Sequence, residues 1–213
     1  MGQMNNGKEE SGATLPVNDA ERWIAGTYAI WSEYCGGSSK YLGGYEKNGP
    51  NAKMVAEVLE EDWLVTDHKS GVDMVTYLLE NAGPGEHEEE DFEEEDFEDD
   101  EEEDEDEDFQ DDDVYGGNLH IDTTAFDYAC ACNMCGRKFI AGYFSREESI
   151  RYAAKVAKKI QERYSSWVEY FQEYIIGAAR GSNVGEMTPF VEAYQKVVTS
   201  PDSPLYLDWN TPL

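Results

Sequence analysis

Residues 145–164 read SREESIRYAAKVAKKIQERY, and they decide the fold class. Ser145 followed by Glu148 has the spacing of a capping box, in which each side chain satisfies a backbone N–H that the first turn of a helix leaves free. Behind it Ile150, Ala153, Ala154, Ala157, Ile160 and Tyr164 recur at three- and four-residue intervals. That is the period of an apolar face on a helix. Lys155, Lys158, Lys159 and Glu162 fall on the outer face, so the segment predicts an amphipathic helix with one side in a core.

Working outward, Ser166 and Glu169 repeat the box, and Trp167, Tyr170, Phe171, Tyr174, Ile175 and Ala178 form a second stripe ending near Gly181. Thr188-Pro189 then offers a cap with proline at the first helical position, ahead of Phe190, Ala193, Tyr194, Val197 and Val198. The stretch with Pro201, Pro204 and Pro212 reads as an extended tail. Upstream, Ala125, Tyr128, Ala129, Cys132, Cys135, Gly136 and Phe139 share one narrow stripe whose small members let a neighbouring helix come close. Three further helices are predicted before it. One runs from Asn18 or Asp19 to Gly36, one holds Met54 to Trp63, and one starts at Thr66 or Asp67 and stops at Gly83-Pro84-Gly85. No stretch alternates as a strand does. The expectation is an all-α, single compact domain of six or seven helices. Its parts are a disordered tail (1–17), an N-terminal half (18–85), a disordered acidic insertion (86–113) and a C-terminal half (114–213).

The 213 residues carry a formal charge of −31. The segment 86–113 contributes 23 acidic residues in 28 positions and no Lys or Arg, which leaves 24 acidic against 16 basic side chains elsewhere. The folded part is thus only mildly acidic. Such a charge argues against direct binding to a nucleic acid backbone, which needs a basic surface. No run is long and apolar enough to cross a bilayer, and the opening MGQMNNGKEE lacks the apolar centre of a secretory signal. A cytoplasmic protein with reduced thiols is expected.

Four groups of residues bring a family to mind: Leu59 to Asp67; Ala125-Phe126-Asp127-Tyr128; Ala141-Gly142-Tyr143-Phe144-Ser145-Arg146-Glu147-Glu148; and Tyr164-Ser165-Ser166-Trp167 with Tyr174 to Gly177. In order and spacing they resemble the bacterial DUF1266 domain, over roughly residues 50 to 182 without the acidic insertion. The resemblance implies a compact helical domain of unassigned function and supplies no active site. The family usually carries an Arg about three residues after the Asp of its first motif. Here Asp127 is followed at that distance by Cys130.

The candidate chemistry is sparse. Cys130, Cys132 and Cys135 have short spacing suited to zinc, but on a helix Cys130 points about 140° away from Cys135. Buried thiols are the plainer reading, and no cofactor is called for. A polar cleft built from Asp127, Tyr143, Glu148 and Ser166 is the candidate site. Trp63 and Trp167, with Gly142 and Gly177, are expected structural anchors. Three functional readings stand: a protein-binding module, in one version immunity-like; an enzyme with a site around Asp127; and a thiol redox or metal sensor. In the first, the acidic insertion, punctuated by Phe92, Phe97 and Phe109, serves as an accessory contact for a basic partner.

Overall fold

The computed structural model describes residues 14–82, 122–181 and 186–213, and every regular element among them is helical. Before the acidic segment come α1 (Asp19–Thr27), α2 (Ala29–Tyr34), α3 (Gly49–Trp63) and α4 (His68–Asn81). After it come α5 (Thr124–Ala141), α6 (Arg146–Arg163), α7 (Trp167–Gly181) and α8 (Thr188–Thr199). Single 3-10 turns occupy Leu42–Gly44 and Pro204–Tyr206. The acidic insertion and residues 1–13 lie outside the described residues.

The extra helix arises because the first predicted helix breaks at Tyr28 (φ −114°, ψ 20°). Three hydrogen bonds hold the break. Thr27 Oγ1 donates back to the Ile24 carbonyl at 2.7 Å, and the Tyr170 hydroxyl donates to the Thr27 carbonyl at 2.9 Å. The Tyr28 hydroxyl accepts from the Gly43 N–H at 3.1 Å. A carbonyl lost to the helix ladder is thereby satisfied from α7.

The helix starts follow local side-chain chemistry. Asn18 and Asn48 accept from the N–H three residues on, both at 2.9 Å. Asn48 with Pro50 places the start of α3 earlier than the apolar period alone suggested. Asp67 and Ser70 cap α4 reciprocally, and Ser145 and Glu148 do the same for α6. At α7 the Ser166 hydroxyl accepts from the Glu169 N–H at 3.2 Å, while the Glu169 carboxylate reaches one residue further back, to the Ser165 N–H at 2.7 Å.

α5 is the axis of the fold. Fifteen of its 18 residues are buried, and it meets α1, α3, α4, α6, α7 and the first 3-10 turn. The narrow inward stripe is therefore corrected to a helix covered on every side, which its Ala, Cys and Gly residues permit by keeping the cylinder thin. The closest approach is backbone to backbone: a Cβ on Gly136 would stand 2.3 Å from the Gly43 nitrogen. Gly43 itself has φ +73°, so both glycines are required there.

The ends of the chain join this core. Thr14 is fully buried and its carbonyl accepts from the Leu42 N–H at 2.7 Å, so the packed structure begins before Asn18. At the other end Trp209 enters an aromatic cluster with its centroid 5.1 Å from both Trp23 and Trp167. The Gln161 amide holds the carbonyls of Trp209 and Thr211 at 2.7 and 3.0 Å. The proline-rich stretch is non-helical for the most part, as its sequence suggests, but it is wedged into the core.

Candidate functional site

The four residues of the sequence-predicted cleft lie in three places. Asp127 sits half-buried in the first turn of α5 and accepts from Thr123 Oγ1 at 2.9 Å. Tyr143 and Glu148 lie beyond the other end of that helix, whose run from Asp127 to Ala141 rises about 21 Å. Ser166 caps α7, and the start of α5 is met further along that helix, by the Tyr170 hydroxyl, which donates to the Ala125 carbonyl at 3.3 Å, and by Gly177. A Cβ on Gly177 would approach Thr123 Cα to 3.1 Å, which explains the glycine. Gly142 ends α5 with φ +86°, Trp167 is buried, and Trp63 is half-buried at the end of α3.

Glu148 receives hydrogen bonds from the Ser145 N–H (3.0 Å) and Ser145 hydroxyl (2.9 Å), with His68 Nε2 at 3.1 Å. The backbone N–H of Ser145, then His68 and the Ser145 hydroxyl, hold its pKa down to about 2. It stays ionised and has no use as a proton donor at neutral pH. Serine, glutamate and histidine meet here, but the carboxylate lies between the other two. Nucleophilic catalysis needs the imidazole in the middle.

The three cysteines of α5 are buried. Burial pushes the Cys135 thiol up to about 12, and the Cys130 and Cys132 thiols also well above their ordinary value. The Cys132 thiol points at the Ala153 carbonyl, 3.7 Å away. Neutral thiols are neither nucleophiles nor metal ligands. Among the described residues no three His, Cys, Asp or Glu side chains gather as a metal site. His120 lies outside those residues. Cys35 is partly exposed, and burial raises its pKa against the opposing Arg137 guanidinium.

Two surface features were not legible from spacing. At the start of α5, Asp122 accepts from the Thr124 N–H at 2.9 Å and pairs with Arg163 of α6. Burial disfavours its charge, but the Thr124 and Arg163 hydrogen bonds outweigh this and keep its pKa low. Beside it Tyr128, Lys159, Glu162 and Arg163 line a shallow, open cleft of about 330 Å³. A second cleft, about 380 Å³, forms where Leu15 and Pro16, one face of α1 and residues 201–207 meet. Its walls include Arg22, Lys40 and Pro204, and Tyr206 stands 74% exposed at it. These groups come from four separate stretches, so no sequence window contains the site.

A family model described as a protein of unknown function, DUF1266, matches residues 58–211, more than two thirds of the chain. The chain belongs to DUF1266. No curated protein and no solved structure matches it. The DUF1266 match begins inside α3, yet Trp23 of α1 packs 4.8 Å from Trp167 within it, so the preceding helices complete the same core. Cys130, three residues after Asp127, is buried. The cation at the start of α5 is Arg163, supplied by α6.

Proposed function

We propose that this DUF1266 chain is a cytoplasmic protein-interaction module, with the open cleft between α1 and residues 201–207 as its main contact surface. The observation that carries the reading is the division of labour among polar groups. The candidate catalytic side chains Asp127, Glu148 and Ser166 accept the hydrogen bonds of helix starts, and the length of α5 separates Asp127 from Glu148. The larger cleft is instead lined by rigid prolines and bordered by exposed Leu15 and Tyr206. Exposed apolar groups beside a preformed concavity are what a polypeptide partner uses. The acidic tract 86–113 adds a long-range contact for a basic region of the same partner. An immunity-like role, holding a basic protein inactive, is one form of this.

Affinity capture with the full chain, followed by reconstitution with each purified candidate, tests it. The expected result is one stoichiometric complex whose association slows with salt and on deletion of 86–113, with lysine-directed cross-links from Lys40. A chain that turns over a small molecule and forms no reconstituted complex would refute it.

A further inference from the structure

We infer that the cleft between α1 and residues 201–207 takes an extended peptide that presents an acidic side chain between apolar ones, an inference that rests on the interaction reading above. The charge of the lining carries it. The chain has 47 acidic and 16 basic residues, yet this cleft is walled by Arg22 and Lys40 against Asp202 alone. The two cations come from different stretches, α1 and the loop before the first 3-10 turn, and both are exposed. Arg22 has only a loose exposed pair with Asp19 at 3.4 Å, and Lys40 rests over the Tyr41 ring at 4.7 Å. Neither is held by a buried carboxylate. The exposed Arg22–Asp19 pair is readily exchanged and Lys40 has no ion pair among the described residues, so both can receive an anionic group, and the surrounding negative charge selects against any ligand whose charge is not concentrated at that spot.

The rest of the cleft sets the shape of the occupant. Pro204 and Gly26, both lining the cleft, pack closely, since a Cβ on Gly26 would stand 2.9 Å from Pro204 Cβ. Preformed walls lower the ordering cost of binding. Leu15 is 43% and Tyr206 74% exposed, and both line the same cleft as the two cations, where they offer apolar contact. A volume of about 380 Å³ is within the range of binding sites but small for a folded domain, and it suits a few consecutive side chains.

The test is selection of a randomised seven-residue phage library on the immobilised full chain, followed by anisotropy titration of the enriched peptides. Enrichment of Asp or Glu flanked by apolar residues is expected. The double substitution Arg22→Glu, Lys40→Glu and replacement of the peptide's acid by its amide should each weaken binding about tenfold or more. Tyr206→Ala should weaken it as well. All three positions are exposed, and an unchanged thermal melt confirms the fold. Failure to enrich any peptide, enrichment without acid preference, or equal binding to the charge-reversed chain would overturn the inference. Competition by succinate as strong as by the peptide would also overturn it, by showing a small-anion site. None of these outcomes depends on capture of a protein partner, so the wider reading survives or falls by its own experiment.

Discussion

Lys138 offers the sharpest test of the energetics of this fold. Its side chain is fully buried, and its ammonium donates to the Gly71 carbonyl at 2.5 Å with the Phe144 ring at 5.4 Å. Among the described residues no carboxylate pairs with it. Burial lowers its pKa to about 8, with the Cys135 thiol opposing weakly. In the unfolded chain the same group titrates near its ordinary value of 10.5. Below pH 8 both states are charged and the native state bears the whole cost of the buried ammonium. Between 8 and about 10.5 the unfolded state binds more protons, so this group makes the protein more stable as pH rises. The difference of two to three pH units corresponds to about 3 kcal/mol. Lys138→Met keeps most of the volume and removes the charge. It should stabilise the protein by about 1–3 kcal/mol at pH 7, less whatever the lost hydrogen bond contributed. Urea unfolding followed by tryptophan fluorescence at pH 7.0, 8.0, 9.0 and 9.5 measures it. The advantage of Lys138→Met should be nearly constant from pH 7.0 to 8.0 and shrink from there to pH 9.5. The buried thiols work the other way; those of Cys130 and Cys132 are common to both proteins and cancel in the difference, while Cys135, which interacts with Lys138, cancels only in part. A variant destabilised by more than about 1 kcal/mol at pH 7, or an advantage independent of pH, would refute the reasoning.

Three further outcomes follow from the packing. Arg146→Ala should destabilise by about 3 kcal/mol in the same assay, since it strands the buried Glu21 carboxylate that Arg146 grips at 2.9 and 2.5 Å. Gly136→Ala should cost at least about 2 kcal/mol and lower the melting temperature, because the new methyl meets the backbone of Gly43 rather than a movable side chain. A chromogenic disulfide reagent at pH 7.5 should label Cys35 ahead of the others, slowed by the burial that raises its pKa, with Cys130, Cys132 and Cys135 reacting only at the rate of unfolding; rapid labelling of two or more thiols contradicts the buried assignment.

How much could be read beforehand depended on the range of the interactions involved. The Ser145–Glu148 box and the αL glycine at Gly142 are visible in a short window because their partners lie within four residues. Lys138 was not. A lysine between Arg137 and Phe139 reads as a surface group, and it is buried only because Gly71 lets α4 close over its stem, with Lys138 Cδ 3.2 Å from where a Cβ would be. Asp127 and Glu148 read along the chain as members of one polar cleft, and the length of α5 separates them. Trp209 was passed over because its flanking prolines suggested a tail, although so large an apolar ring near a chain end is itself a signal of docking.

The all-helical class and most helix boundaries follow from periodicity and capping, which are properties of neighbours along the chain, and the family follows from the match over residues 58–211. Which side of each helix is covered, and by what, was decided by packing. α5 reads as a helix with one inward stripe, and only the tertiary structure shows that it is enclosed, because enclosure depends on five other helices converging on a cylinder kept thin by Ala, Cys and Gly. The clefts belong to that second category. Arg22, Lys40 and Pro204 have no sequence relation to one another, and the charge pattern they form exists only once α1, the loop before the first 3-10 turn and the C-terminal stretch are brought together by the Trp23, Trp167 and Trp209 cluster.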